Sequence, residues 1–122
     1  MTESSNIRVA VVGAGKMGTY HAKLLGKTPD VELVGVCDTN AWKSQLAAWQ
    51  SNTVAIRDYK DVLERVDAVV IAVPTPLHYE VGKAALEAGA HVLIEKPLAS
   101  SVDEAKELLA LSESKKLVLQ VG

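Results

Sequence analysis

Short apolar runs alternate along the whole chain with longer stretches in which apolar side chains recur every three or four positions. The runs have strand length and predict strands at Ile7–Val12, Val31–Cys37, 53–56, 68–73, His91–Ile94 and 117–121. Between them, Met17, His21, Leu24 and Leu25 fall at helical spacing, as do Trp42, Leu46 and Trp49, and again Val81, Ala85 and Ala88; each stripe is expected to face the sheet. Gly89 stands where the third of these helices must end before His91. The last helix is the best marked: Ser101 and Glu104 form a capping box, and Val102, Ala105, Leu108 and Leu109 line one side. Strict alternation of strand and helix predicts an α/β fold, a doubly wound parallel sheet of about six strands with helices on both faces.

Composition narrows that picture. A length of 122 residues makes one domain, enough to bury roughly two-thirds of the surface its unfolded chain exposes. Hydrophobic residues make up 48% but aromatics only 4%, with no Phe, so Val, Leu, Ile and Ala must fill the core, as suits a parallel sheet covered by helices. The formal charge is −2 and Lys and Arg are scattered, which leaves no basic face for a phosphate backbone and excludes nucleic acid as a partner. The single cysteine, Cys37, has no partner for an internal disulfide. The polar start at 1–6 lacks the pattern of a signal peptide, so the cytoplasm is the expected compartment. No apolar run approaches the roughly 18 residues of a membrane-spanning helix.

The strongest chemical signal is Gly13-Ala14-Gly15-Lys16-Met17-Gly18, which follows a buried-type strand and opens a helix. In that context the first glycine permits the tight turn, the second lets backbone approach a pyrophosphate, and the third lets helix and strand pack closely. The anion would sit on N–H groups at the helix N-terminus, so Gly13, Gly15, Lys16, Met17 and Gly18 are candidate cofactor residues. Asp38 stands at the end of the second strand, twenty residues beyond Gly18, where a Rossmann-type fold needs an acceptor for the adenosine ribose hydroxyls, with Thr39 beside it. A carboxylate there repels a 2′-phosphate, and 39–42 offer no Arg to receive one, so NAD is expected over NADP; Lys43 weighs the other way. The competing reading of Asp38 is a helix N-cap, which Thr39 or Asn40 could equally supply.

Two further polar clusters end strands: Pro74-Thr75-Pro76-Leu77-His78 after the fourth and Glu95-Lys96-Pro97 after the fifth. Ligands of open α/β sheets bind outside the carboxyl ends of the strands, and in the order 3-2-1-4-5-6 these two ends belong to the nicotinamide half. The plainer alternatives are a proline stop with His78 on the surface, and a solvated Glu95–Lys96 pair. Trp42 and Trp49 read as core with Leu46, and Cys37 as a small core residue. His21 is expected to face the sheet or the cofactor-side cleft, and no metal ligand set is found.

On the glycine fingerprint with His21, Asp38, the run from Val66 to Thr75 with His78, and above all Glu95-Lys96-Pro97, the chain resembles the Gfo/Idh/MocA family over nearly its whole length. The family is named for glucose-fructose oxidoreductase, inositol dehydrogenase and a rhizopine-catabolism protein. The resemblance implies that Lys96 lies beside the nicotinamide and is the nearest thing to a catalytic residue, and that Pro74, Thr75, His78 and Glu95 line the nicotinamide-ribose side. An X–Pro bond also makes a cis peptide affordable at Lys96-Pro97. Family members continue into a second domain with an open antiparallel sheet that supplies the substrate pocket and usually an Asp and a His for proton transfer. The expectation is therefore the cofactor domain of an oxidoreductase that moves a hydride between a sugar or polyol and NAD, inactive on its own and with a sixth strand open to self-association. A free-standing NAD(H)-binding or sensing module is the alternative; Glu95-Lys96-Pro97 weighs against a biliverdin- or dihydrodipicolinate-reductase relative.

Overall fold

The computed structural model describes residues 6–122; all but the last residue of the polar start considered above lie outside it. Strands β1 (Ile7–Val12), β2 (Val31–Cys37), β3 (Ala55–Ile56), β4 (Ala68–Ile71), β5 (His91–Ile94) and β6 (Leu119–Val121) form one parallel sheet in the order β3-β2-β1-β4-β5-β6. Helices α1 (Lys16–Leu25), α2 (Ala41–Gln50), α3 (His78–Glu87) and α4 (Val102–Lys115) make the crossovers. Side chains alternate across the central strand: Val9 and Val11 pack with Ala22 of α1 and Ala47 of α2, while Ala10 and Val12 pack with Val81 of α3 and Leu108 of α4. The doubly wound arrangement thus follows from strands apolar on both faces, and the core is aliphatic, as the lack of Phe requires.

Three strands are shorter than the apolar runs. The parallel pairing of β4 with β1 stops at Ile71 because its partner, Val12, is followed by Gly13, which turns away at φ +107°. At the last strand, the Leu117 N–H donates to the Ser112 carbonyl at 2.9 Å and the Val118 N–H to His91 Nδ1 at 3.0 Å. Leu117 thus finishes the α4 turn and Val118 meets the start of β5, whose Val92 N–H donates to the Val118 carbonyl at 2.9 Å, before regular pairing begins at Leu119. β3 keeps only Ala55 and Ile56.

Helix faces needed more correction than helix positions. Trp42 and Trp49, expected in the core, are 74% and 79% exposed, and Leu46, Met17, Leu24, Leu109 and Val102 are exposed as well. Ala88 is exposed too. The sheet-facing positions instead carry Gly18 and Ala22 on α1, and Ser44, Ala47 and Ala48 on α2. Small residues let the helix backbones lie close to the sheet, so the bulky side chains that dominate a periodicity pattern sit on the flank. α3 behaves as expected at Val81 and Ala85, and Gly89, at φ +89°, ends it. Ser101 caps α4 by accepting from the Glu104 N–H, and Asn40 caps α2 by accepting from the Lys43 N–H. No helix among the described residues is long and apolar enough to cross a membrane.

Leu108 is fully buried and lies against Gly82 of α3, whereas Val102, on the same predicted stripe, is 70% exposed. Leu108→Ala is expected to cost about 3 kcal/mol in urea denaturation, and Val102→Ala less than about 0.5 kcal/mol. Equal losses would show that α4 packs on another face.

Candidate functional site

The carboxyl edge of the sheet is built around the loop from β1 to α1. The Gly13 N–H donates to the Cys37 carbonyl at 2.7 Å, which ties the loop to the end of β2. A Cβ on Gly13 would collide with the Ala72 carbonyl, and one on Gly18 with the Gly13 carbonyl. First helical turn, loop and β4 are therefore in backbone contact. Gly15 is different: a Cβ there would meet nothing within 4 Å, and Gly15 lines a cleft of about 760 Å³. The open backbone is a cradle that a side chain would fill. α1 starts at Lys16 with no side-chain cap and no acidic residue in its first turn, so its orphan N–H groups and the positive end of its dipole are available to an anion. A dinucleotide pyrophosphate fits these residues.

Asp38 lies on the same cleft. Its Oδ2 accepts from the Ala14 N–H at 2.8 Å and its Oδ1 from the Asn40 N–H at 2.8 Å, so the carboxylate braces the glycine loop from the end of β2. An ionised carboxylate has about four acceptor positions, which leaves acceptor capacity on both oxygens for hydroxyl groups. Since Asn40 is the N-cap of α2, capping does not account for Asp38.

Of the residues predicted from sequence, Gly13, Gly15, Lys16, Met17, Asp38, Thr39 and Pro74 line this one cleft. Gly18 lies behind it as the packing glycine. Arg57, Tyr59, Leu77 and Glu80 also line it and were not predicted. The signal for Arg57 is its place directly after β3, at the same carboxyl edge that singled out Asp38. Burial, with Glu80 beside it, pushes the Tyr59 phenol up from its ordinary value.

Thr75, His78, Glu95 and Lys96 stand on the same edge but outside the lining of that cleft. Thr75 opens a short 3-10 turn that leads into α3. His78 is neither a surface residue nor free in the cleft: it is 1% exposed, with Nδ1 2.7 Å from the Pro97 carbonyl oxygen and Nε2 2.9 Å from that of Val73. Both nitrogens face protein carbonyls, and the ring links the loop after β4 to the loop after β5. Glu95 does not pair with Lys96; its Oε2 accepts from His21 Nε2 of α1 at 2.6 Å. Lys96 is exposed, its N–H donates to the Gly122 carbonyl at 3.1 Å, and the Lys96-Pro97 peptide is cis. Burial pushes the Cys37 thiol up to about 12, which fits a packing role.

A family model described as "Oxidoreductase family, NAD-binding Rossmann fold" matches residues 7–122. The chain belongs to this family, Gfo/Idh/MocA. It is 35% identical over 117 residues to UDP-N-acetylglucosamine 3-dehydrogenase from Acidithiobacillus ferrooxidans, a match covering 96% of this chain and 37% of the relative. It is 38% identical over 124 residues to inositol 2-dehydrogenase from Rubrobacter xylanophilus, covering 98% and 36%. Among solved structures, GenD2 from gentamicin A biosynthesis, in complex with NAD, superposes with a TM-score of 0.92 at 32% identity over 97% of this chain and 34% of that one. The chain thus spans about a third of the length of the curated relatives it matches, in the NAD-binding Rossmann domain of the family.

The two inner glycines separate binding from folding. Gly15→Val is expected to keep its helical circular dichroism and lose dinucleotide binding, because the side chain enters only the cleft; Gly18→Val is expected to lose the fold through backbone collision. Retained affinity in a folded Gly15→Val chain would take the loop out of the site.

Proposed function

We propose that this chain is the cofactor domain of an NAD-dependent dehydrogenase acting on the CH–OH group of a sugar or polyol. The observation that carries the reading is the cleft in which the open backbone of Gly15 and the carboxylate of Asp38 face one space. In this reading the α1 N-terminus holds the pyrophosphate through the N–H groups of Gly15, Lys16 and Met17, with Gly18 packed behind them. Asp38 accepts the adenosine ribose hydroxyls, with Thr39 alongside. Pro74, Thr75 and Glu95 flank the nicotinamide ribose, and His78 supports them from beneath. Lys96 is the catalytic residue: its ammonium, at the end of β5, places the substrate oxygen against the cofactor. Nicotinamide, when bound, supplies the hydride acceptor. The ring polyols and sugars in the names of the similar dehydrogenases support this substrate class.

NAD is proposed over NADP because the Asp38 carboxylate would face a 2′-phosphate, although Lys43 and Arg57 line the same cleft. Titration followed by quenching of the two exposed tryptophans is expected to show NADH binding more tightly than NADPH. Asp38→Ala removes the repulsion and leaves both cations, so it is expected to narrow the ratio by about tenfold, the equivalent of about 1.4 kcal/mol. NADPH binding as tightly as NADH in the unmodified chain would overturn the ribose assignment.

A binding-only module is favoured for these 122 residues taken alone by one observation: both nitrogens of His78 and the Nε2 of His21 are engaged by protein groups. Alcohol oxidation calls for a positioned base within hydrogen-bond reach. The isolated chain is expected to bind NADH yet produce none from NAD and a polyol panel. Steady NADH production that scales with the chain's concentration and disappears in Lys96→Ala would overturn that expectation.

A further inference from the structure

His21 and Glu95 are seventy-four positions apart and in direct contact: Nε2 to Oε2 is 2.6 Å, and the two side chains are 20% and 22% exposed. His21 lies one helical turn beyond Gly18, on the helix whose first turn faces the cleft. Glu95 is the first residue after β5 and directly precedes Lys96. Its N–H donates to the Ile71 carbonyl at 3.0 Å, so the Glu95 backbone is set by the sheet and its side chain by α1. A charge-assisted contact between half-buried groups holds geometry better than an exposed pair does. It also decides what the carboxylate is not doing. Lys96, the next residue, is exposed and makes no ion pair among the described residues, and the carboxylate beside it in sequence is committed to His21.

We propose that His21 is a positioning residue: by engaging Glu95 it keeps the Lys96 ammonium unpaired and fastens the Lys96 turn to the pyrophosphate helix. The inference rests on the dinucleotide reading above and deepens it. The adenosine and pyrophosphate contacts are made by the glycine loop and Asp38, whereas the nicotinamide side depends on the turn that His21 holds. Loss of His21 therefore acts on one half of the dinucleotide. Without its partner, the Glu95 carboxylate is free to pair with Lys96, which removes the cation from the ligand and loosens the turn.

The test compares two ligands on the 122-residue chain. ADP carries the adenosine and the two phosphates without the nicotinamide ribose or ring, and NADH carries both halves. His21→Leu is expected to weaken NADH by about tenfold, the loss of one charge-assisted contact, while ADP affinity changes less than about twofold. His21→Gln, whose side-chain amide can donate to the same carboxylate oxygen, is expected to restore most of the NADH affinity. Circular dichroism establishes that each variant is folded. A parallel loss for both ligands, which a merely structural histidine would give, overturns the proposal, as does unchanged NADH affinity in His21→Leu or failure of His21→Gln to rescue. If the unmodified chain binds neither ligand, the dinucleotide reading itself falls, and this inference with it; binding of ADP by the unmodified chain keeps the two failures apart.

Discussion

Everything at the working edge of this domain depends on a backbone contact that only hydrogen allows. The first turn of α1 lies against the carbonyl of Gly13, and Gly13 against the carbonyl of Ala72. Any side chain at Gly13 or Gly18 would push α1 from the loop and the loop from β4. That would separate the two strands whose divergent crossovers open the cleft. The same absence of side chains leaves the N–H groups of α1 facing open space. Fold and cleft are thus one packing decision, and Gly15, which packs against nothing, is the one glycine of the loop whose smallness serves the cleft alone.

Polar side chains then hold the loops that the glycines bring together. Asp38 ties the end of β2 to the glycine loop, His78 ties the loop after β4 to the loop after β5, and His21 ties α1 to the end of β5. Each link joins segments distant in sequence at the carboxyl ends of the strands. The consequence for function is a site with set geometry before ligand arrives, which lowers the ordering cost of binding. At the opposite end of the sheet the exposed Arg8–Asp67 pair joins β1 and β4 and holds the Asp67 carboxyl below its ordinary value, a structural use of charge.

The order of strands, the glycine turn, the aspartate after β2 and the polar ends of the fourth and fifth strands were all legible in the sequence. They depend on local rules: strand-length apolar runs, glycine where the chain must turn sharply, and a carboxylate one βα unit downstream. Membership of the family was legible too, because Glu95-Lys96-Pro97 and the fingerprint are contiguous strings. What each helix buries was less so. On α1 and α2 the residues that touch the sheet are glycine, alanine and serine, nearly silent in a hydrophobic pattern, and Trp42 and Trp49 beside them drew the stripe to the wrong side.

Tertiary structure decided the pairings. Nothing in a linear reading joins His21 to Glu95, assigns both nitrogens of His78 to carbonyls, or brings Arg57 onto the cleft of Asp38, because each depends on parallel crossovers that set the ends of β1 to β5 side by side. The sequence by itself determined which elements form and where the chain must be free of side chains, since both are properties of neighbouring residues. Which polar groups meet was settled only by the packing of helices on the sheet, since a side chain's partner is chosen by distance in space and by whether an unpaired polar group can be left buried.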